Sequence, residues 1–177
     1  MATHKISLND LNRRIIVLEH AWDNSTEKVY HVEYDGSILT GASLLGTSST
    51  EYDAINDFNC FNWISSDLTL QDCTVSLQFT LPSTFKSWTS NALTLYLQTN
   101  SSLSTDNKIK LVIKKDNATI ITLDDNVSPS SSSWATTLLT SSNLGSWNPY
   151  NKMTILITLS SKSSNFARIA DLKLDWN

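Results

Sequence analysis

TVSLQFTL, residues 74–81, places Val75, Leu77, Phe79 and Leu81 on one side of an extended chain and Ser76, Gln78 and Thr80 on the other. Successive side chains of a strand point to opposite faces, so this alternation predicts a strand with one face on a core and one in water. The same pattern recurs on both sides of it. LTL at 68–70 precedes it, and ALTLYLQT at 92–99 repeats it with Leu93, Leu95 and Leu97. KIKLVIKK at 108–115 turns Ile109, Leu111 and Ile113 inward, and ATIITL at 118–123 follows the Asp116-Asn117 turn signal, so these two read as a hairpin. WATTLLT at 134–140, KMTILITLSS at 152–161 and ARIADLKLDW at 167–176 complete the set. In the last, Ala170, Leu172, Leu174 and Trp176 are read as one stripe.

One-sided strands separated by Ser-, Asn- and Pro-containing connections belong to antiparallel sheets. The fold class expected is therefore mainly β: an antiparallel two-sheet β-sandwich of the jelly-roll kind over residues 67–177. Residues 26–66 are read as an arm or linker. Tyr30, Val32 and Tyr34 alternate toward Asp35-Gly36, as in a hairpin or extended arm, and the small polar stretch 41–50 looks like a linker. YDAINDFNCFNWISSD then supplies either a first strand of the sandwich or a cover for one of its ends.

Residues 1–25 carry a different period. Leu8, Leu11, Ile15, Leu18 and Trp22 are spaced 3, 4, 3, 4, the seam of a heptad repeat on a helix that Ser7 can cap. An isolated helix of this length is marginal in water, so the stripe must be buried. It can pack on its own domain, or it can self-associate. Arg14 at g and Glu19 at e, the positions that meet between parallel helices, favour self-association as a homotrimer. RIIVLE also resembles the trimer-favouring motif of coiled coils, which implies an Arg14–Glu19 bridge between neighbouring chains. Ile16 and Val17 lie outside the seam and call for a second contact.

Composition narrows the function. Charged residues are 17% of the 177 and the net charge is −4, so no nucleic acid is expected as partner, since phosphate binding draws on clustered Lys and Arg. No window reaches the length of a membrane span, so no membrane is expected either. MATHK leads directly into the helix without an apolar leader, which predicts folding in a cytosol with Cys60 and Cys73 reduced and buried. His4, His20 and His31 have no catalytic partner at a diagnostic spacing, and GxSxG, HExxH and phosphate-loop motifs are missing. Asp124-Asp125 reads as a turn. The expectation is a non-enzyme with no cofactor and no metal.

The aromatic residues admit two readings. Trp134 and Trp176 fit a core, with Trp88 and Trp147 plugging the ends of the sandwich. Alternatively Trp147, Tyr150 and Trp88 offer platforms for sugar rings, as exposed aromatics do in glycan-binding modules.

LPSTFKSW at 81–88, the Trp-x-Thr strand at 134–136, the Leu-Gly-x-Trp-Asn-Pro turn at 144–149 and the closing apolar strand resemble a β-sandwich module of tailed-bacteriophage virion proteins. The heptad helix is similar to the multimerising starts of phage fibre and capsid-decoration proteins. The resemblance implies a trimeric decoration (cement) or short head-fibre protein, located in the virion. Its partners would be other copies of itself, the major capsid protein or another virion protein, and in a receptor-binding tip a host-surface glycan. A free carbohydrate-binding module is the alternative, and an intracellular assembly protein a third.

Overall fold

The computed structural model describes residues 27–30, 38–42, 45–123 and 133–177. The heptad helix with Leu8, Leu11, Arg14, Ile15, Leu18, Glu19 and Trp22 lies outside the described residues, as do Asp35-Gly36 and Asp124-Asp125. The described chain forms β1 (Glu27–Tyr30), β2 (Ile38–Ala42), β3 (Gly46–Asp53), β4 (Phe58–Ser65), β5 (Gln71–Thr80) and β6 (Trp88–Thr99). β7 (Asn107–Lys115), β8 (Ala118–Leu123), β9 (Ala135–Leu139), the one-turn helix α1 (Ser141–Leu144), β10 (Lys152–Ser161) and β11 (Asn165–Trp176) follow.

Two antiparallel sheets result. One runs β3-β4-β11-β6-β9, with β1 added to β11, and the other β2-β5-β10-β7-β8. The strands from β4 onward occupy the orders 4-11-6-9 and 5-10-7-8, which is jelly-roll topology, and β3 and β2 extend one edge of each sheet. Alternation decides what lies between them. Val75, Leu111, Ile113, Ile155 and Ile157 of the second sheet meet Phe61, Trp63, Leu95, Leu97, Ile169 and Leu172 of the first, all nearly or fully buried.

The sandwich begins earlier than residue 67. β3 and β4 are full members of the first sheet, paired from Gly46↔Ser65 to Asp53↔Phe58. β3 resembles a linker in composition because an edge strand has one paired side and both faces largely in water. β1 and β2 do not form a hairpin with each other. β1 pairs β11 and β2 pairs β5, so the two belong to different sheets.

β11 also departs from the expected stripe. Ala167 and Ile169 face the core, and so do Leu172, Leu174 and Trp176, although the two groups differ in parity. A register shift between Ile169 and Leu172 puts two residues, Ala170 and Asp171, where β6 has Tyr96 alone. This is a β-bulge, which bends the strand and increases its twist. It also marks a change of neighbour. β4 accompanies β11 only from Asn165 to Ile169, and β1 takes that side from Leu172 onward. The β3–β4 hairpin is therefore released from the sheet beyond Phe61.

Candidate functional site

Directly opposed residues of neighbouring strands share a face. Ser49, Asn62, Arg168 and Gln98 are successive partners across β3, β4, β11 and β6, on the side away from the core. Ala135 opposes Leu97, so Trp134 just before it comes level with Gln98. Pairing thus assembles a row of polar groups from residues that are far apart in sequence. Asn62 Nδ2 donates to Glu51 Oε1 at 3.0 Å, and Arg168 Nε donates to Asn62 Oδ1 at 3.2 Å. Arg168 Nη2 pairs with Glu51 Oε2 at 3.0 Å, while its guanidinium lies 4.2 Å from the centre of the Phe166 ring. These contacts tie the Arg168 and Glu51 side chains to each other and to Asn62.

The face is strongly concave. Trp134 Nε1 donates to Asp53 Oδ2 at 2.7 Å, although Trp134 leads into one edge strand and Asp53 ends the other. Laid flat, four strand spacings would separate those edges by about 19 Å, farther than an indole and a carboxylate reach together. The bulge and the release of β4 let the β3–β4 hairpin fold over the sheet and close this distance. Trp134 is accordingly half-buried on the outer face and is not part of the core, contrary to the sequence reading. Its indole N–H holds the Asp53 carboxyl below the usual carboxylate range, helped by the Asn56 side chain and the backbone of Ile55 and Asn56.

Beneath this roof the face is enclosed. Asn62 is 1% exposed and Gln98 6%, and Gln98 Oε1 has no hydrogen-bond partner among the described residues. Tyr96, two residues before Gln98 on the same side, is half-buried, as is Phe166. Cys60 opposes Glu51 and shares its side; it is 1% exposed, and burial pushes its thiol pKa up. The arrangement offers planar aromatic and guanidinium surfaces beside amide groups and one buried, unoccupied acceptor. The outer face of the second sheet differs, with Lys108, Lys110 and Lys114 along β7 facing threonines and serine of β10.

The residues proposed from sequence as sugar platforms fall elsewhere. Trp88 and Trp147 are buried, 6% and 5% exposed, in an edge-to-face cluster with Phe85 and Trp176 that closes one end of the sandwich. Trp147 Nε1 donates to Leu144 O at 2.8 Å, and Lys115 Nζ lies 5.5 Å from its ring centre. Neither ring presents a face to a ligand, because burying their large apolar surface closes the core at this end. Tyr150 is 69% exposed, at positive φ, in the turn beside this cluster and far from the row. Sequence reasoning missed Asn62, Gln98 and Arg168, since each occupies an ordinary outward position of its strand. A cavity of about 600 Å³ at the opposite end of the sandwich is lined by Leu45, Gly46, Thr47, Ile64, Ser66, Asp67 and Leu68. Asp67 Oδ1 there accepts from the Thr69 hydroxyl and backbone N–H, which ties the carboxylate into its own turn.

Cys60 and Cys73 are both free and buried, on different sheets. No group of three or more His, Cys, Asp or Glu suited to a metal occurs among the described residues.

No protein-family model matches the chain, and no curated protein matches it. Among solved structures it is similar to TmCBM61, a carbohydrate-binding module in complex with β-1,4-galactotriose. The TM-score is 0.55 at 10% identity, over 82% of this chain and 91% of that one. It is also similar to the family 11 carbohydrate-binding module of a Clostridium thermocellum cellulosomal cellulase, with a TM-score of 0.46 and 14% identity, over 85% of this chain and 95% of that one. The chain shares with the first of these its fold, the antiparallel two-sheet β-sandwich.

Proposed function

We propose that this chain is a non-catalytic carbohydrate-binding β-sandwich that takes a glycan on the concave outer face of the β3-β4-β11-β6-β9 sheet. The observation that carries the reading is the row Asn62–Arg168–Gln98 under the Trp134–Asp53 contact, with the buried Gln98 Oε1 unpartnered. A sugar presents hydroxyls on its edge and C–H groups on its faces, and the row answers both with amide groups and with the rings of Tyr96, Trp134 and Phe166. An unpaired buried acceptor costs about 1–3 kcal/mol, which a donated hydroxyl would recover. Fold likeness to a glycan-bound module supports the reading without carrying it, because folds host many functions. Isothermal titration against soluble β-1,4-galactan, β-glucan, xylan and mannan should give saturable binding to at least one polymer, lost in Arg168→Ala. Absence of heat with all of them, and with a broad glycan array, would reject the proposal.

A second reading places the same module on a bacteriophage particle as a trimeric decoration or head-fibre protein, and the heptad of residues 8–22 favours it. Three copies of a weak sugar site on one trimer would gain avidity on a host surface. Light scattering should report a trimer for the full chain and a monomer for Leu11→Asp/Leu18→Asp. A monomeric wild-type chain at high concentration removes the free trimer.

A further inference from the structure

We propose that the end of the β3–β4 hairpin and Trp134 form a latch over the concave face, so that a ligand reaches Gln98 only when the Trp134–Asp53 contact opens. The hairpin end is a rigid unit. Asp53 Oδ1 accepts from the backbone N–H of Ile55 and Asn56 at 3.0 and 3.1 Å, and Oδ2 accepts from Asn56 Nδ2 at 3.1 Å. Asp57, at φ 57, donates its N–H to Asp53 O, and the Tyr52 hydroxyl donates to Asp57 Oδ1 at 2.6 Å. Among the described residues the unit has no strand pairing to the rest of the sheet. β4 last pairs with β11 at Phe61↔Ile169, and beyond it β11 is occupied by β1. The 2.7 Å hydrogen bond from Trp134 joins the hairpin end to the far edge. One hydrogen bond to a charged acceptor shifts an open–closed equilibrium by roughly 10- to 100-fold. That is far less than the equilibrium constant for unfolding a domain, so the latch opens while the sandwich stays folded.

The opening deepens the reading given under Proposed function but is measurable without any glycan. The chain carries its own probes. Cys60 lies on the concave face beside Glu51, and Cys73 lies in the core of the opposite sheet, 1% and 0% exposed. Latch opening exposes the first, and only unfolding exposes the second. The test is N-ethylmaleimide labelling of the full chain, followed by peptide mass spectrometry at each cysteine. Cys60 should react faster than Cys73 in the wild type. Trp134→Phe, which keeps a ring and removes the N–H, should accelerate Cys60 roughly 10- to 100-fold and leave Cys73 unchanged. Asp53→Asn, which turns the acceptor into an amide still able to hold the turn, should do the same. Equal acceleration at both cysteines means loss of global stability and overturns the latch, as does an unchanged Cys60 rate in both variants. Selective Cys60 exposure in a chain that binds no polysaccharide would leave the latch standing and remove the glycan reading instead.

Discussion

Gly46, the first residue of β3, lies against the Trp63 indole so closely that a Cβ there would sit 2.3 Å from Cζ2 and 2.4 Å from Cη2. Carbon atoms prefer about 3.5–4.0 Å, so Gly46→Ala forces the ring or the strand to move by more than 1 Å. Trp63 has little freedom to yield: it is 1% exposed, and its Nε1 donates to Gln71 O at 2.8 Å. Overpacking of this kind costs about 1–3 kcal/mol, against about 0.4–1 kcal/mol regained because alanine restricts the unfolded chain. A net loss of about 1–2 kcal/mol should lower the melting temperature by about 2–8 °C for a domain of this size. The cause is identified by pairing it with Trp63→Phe, which deletes the two atoms in question. Urea titrations followed by circular dichroism on the wild type, both single variants and the double variant give the coupling directly. In the Trp63→Phe background, Gly46→Ala should be neutral or slightly stabilising, a coupling of about 1–3 kcal/mol. If Gly46→Ala costs the same in both backgrounds, the contact is not what makes glycine necessary and the reasoning fails.

Gln98→Leu replaces a buried group whose carbonyl oxygen is unpartnered, so it should leave the melting temperature unchanged or higher while abolishing polysaccharide binding; a large fall in stability would contradict the accounting. Asp67 is held below the usual carboxylate range, first by the Thr69 hydroxyl and then by the Thr69 backbone. A depressed folded pKa gives stability that is full above the unfolded value near 4 and is lost as pH falls through the folded one. Melting curves between pH 5 and pH 2 should therefore fall more steeply for the wild type than for Asp67→Ala, and parallel curves would refute this. Ile157→Ala opens a cavity between the sheets at a fully buried site, and should cost about 2–5 kcal/mol in a urea titration.

The long strands were legible because each has one buried face, and the two-residue period is then written in hydrophobicity. β3 was not, since Thr47, Ser48, Ser49 and Thr50 are all exposed and their composition matches a loop. The fates of β1 and β2 were also hidden, because alternation says that a segment is extended and nothing about which sheet receives it. The bulge was recoverable in part: Ala167 and Ile169 share a parity that Leu172, Leu174 and Trp176 do not. For the site, aromatic identity misled. Trp88 and Trp147 carry enough apolar surface to close an end of the core, and sequence could not say whether that surface faces inward. The residues of the concave face were invisible one at a time. Asn62, Gln98 and Arg168 become a row only when β4, β11 and β6 are set side by side in register.

The extra residue at Ala170–Asp171 makes the shape of that face depend on chain length more than on side-chain chemistry. Substitutions at these two positions keep the extra residue, whereas deleting one of them would restore the two-residue period and leave Ala167, Ile169, Leu172, Leu174 and Trp176 on the core face of a straighter strand. Point changes can then vary what lines the groove, while a single-codon deletion flattens the groove and leaves the core stripe in place.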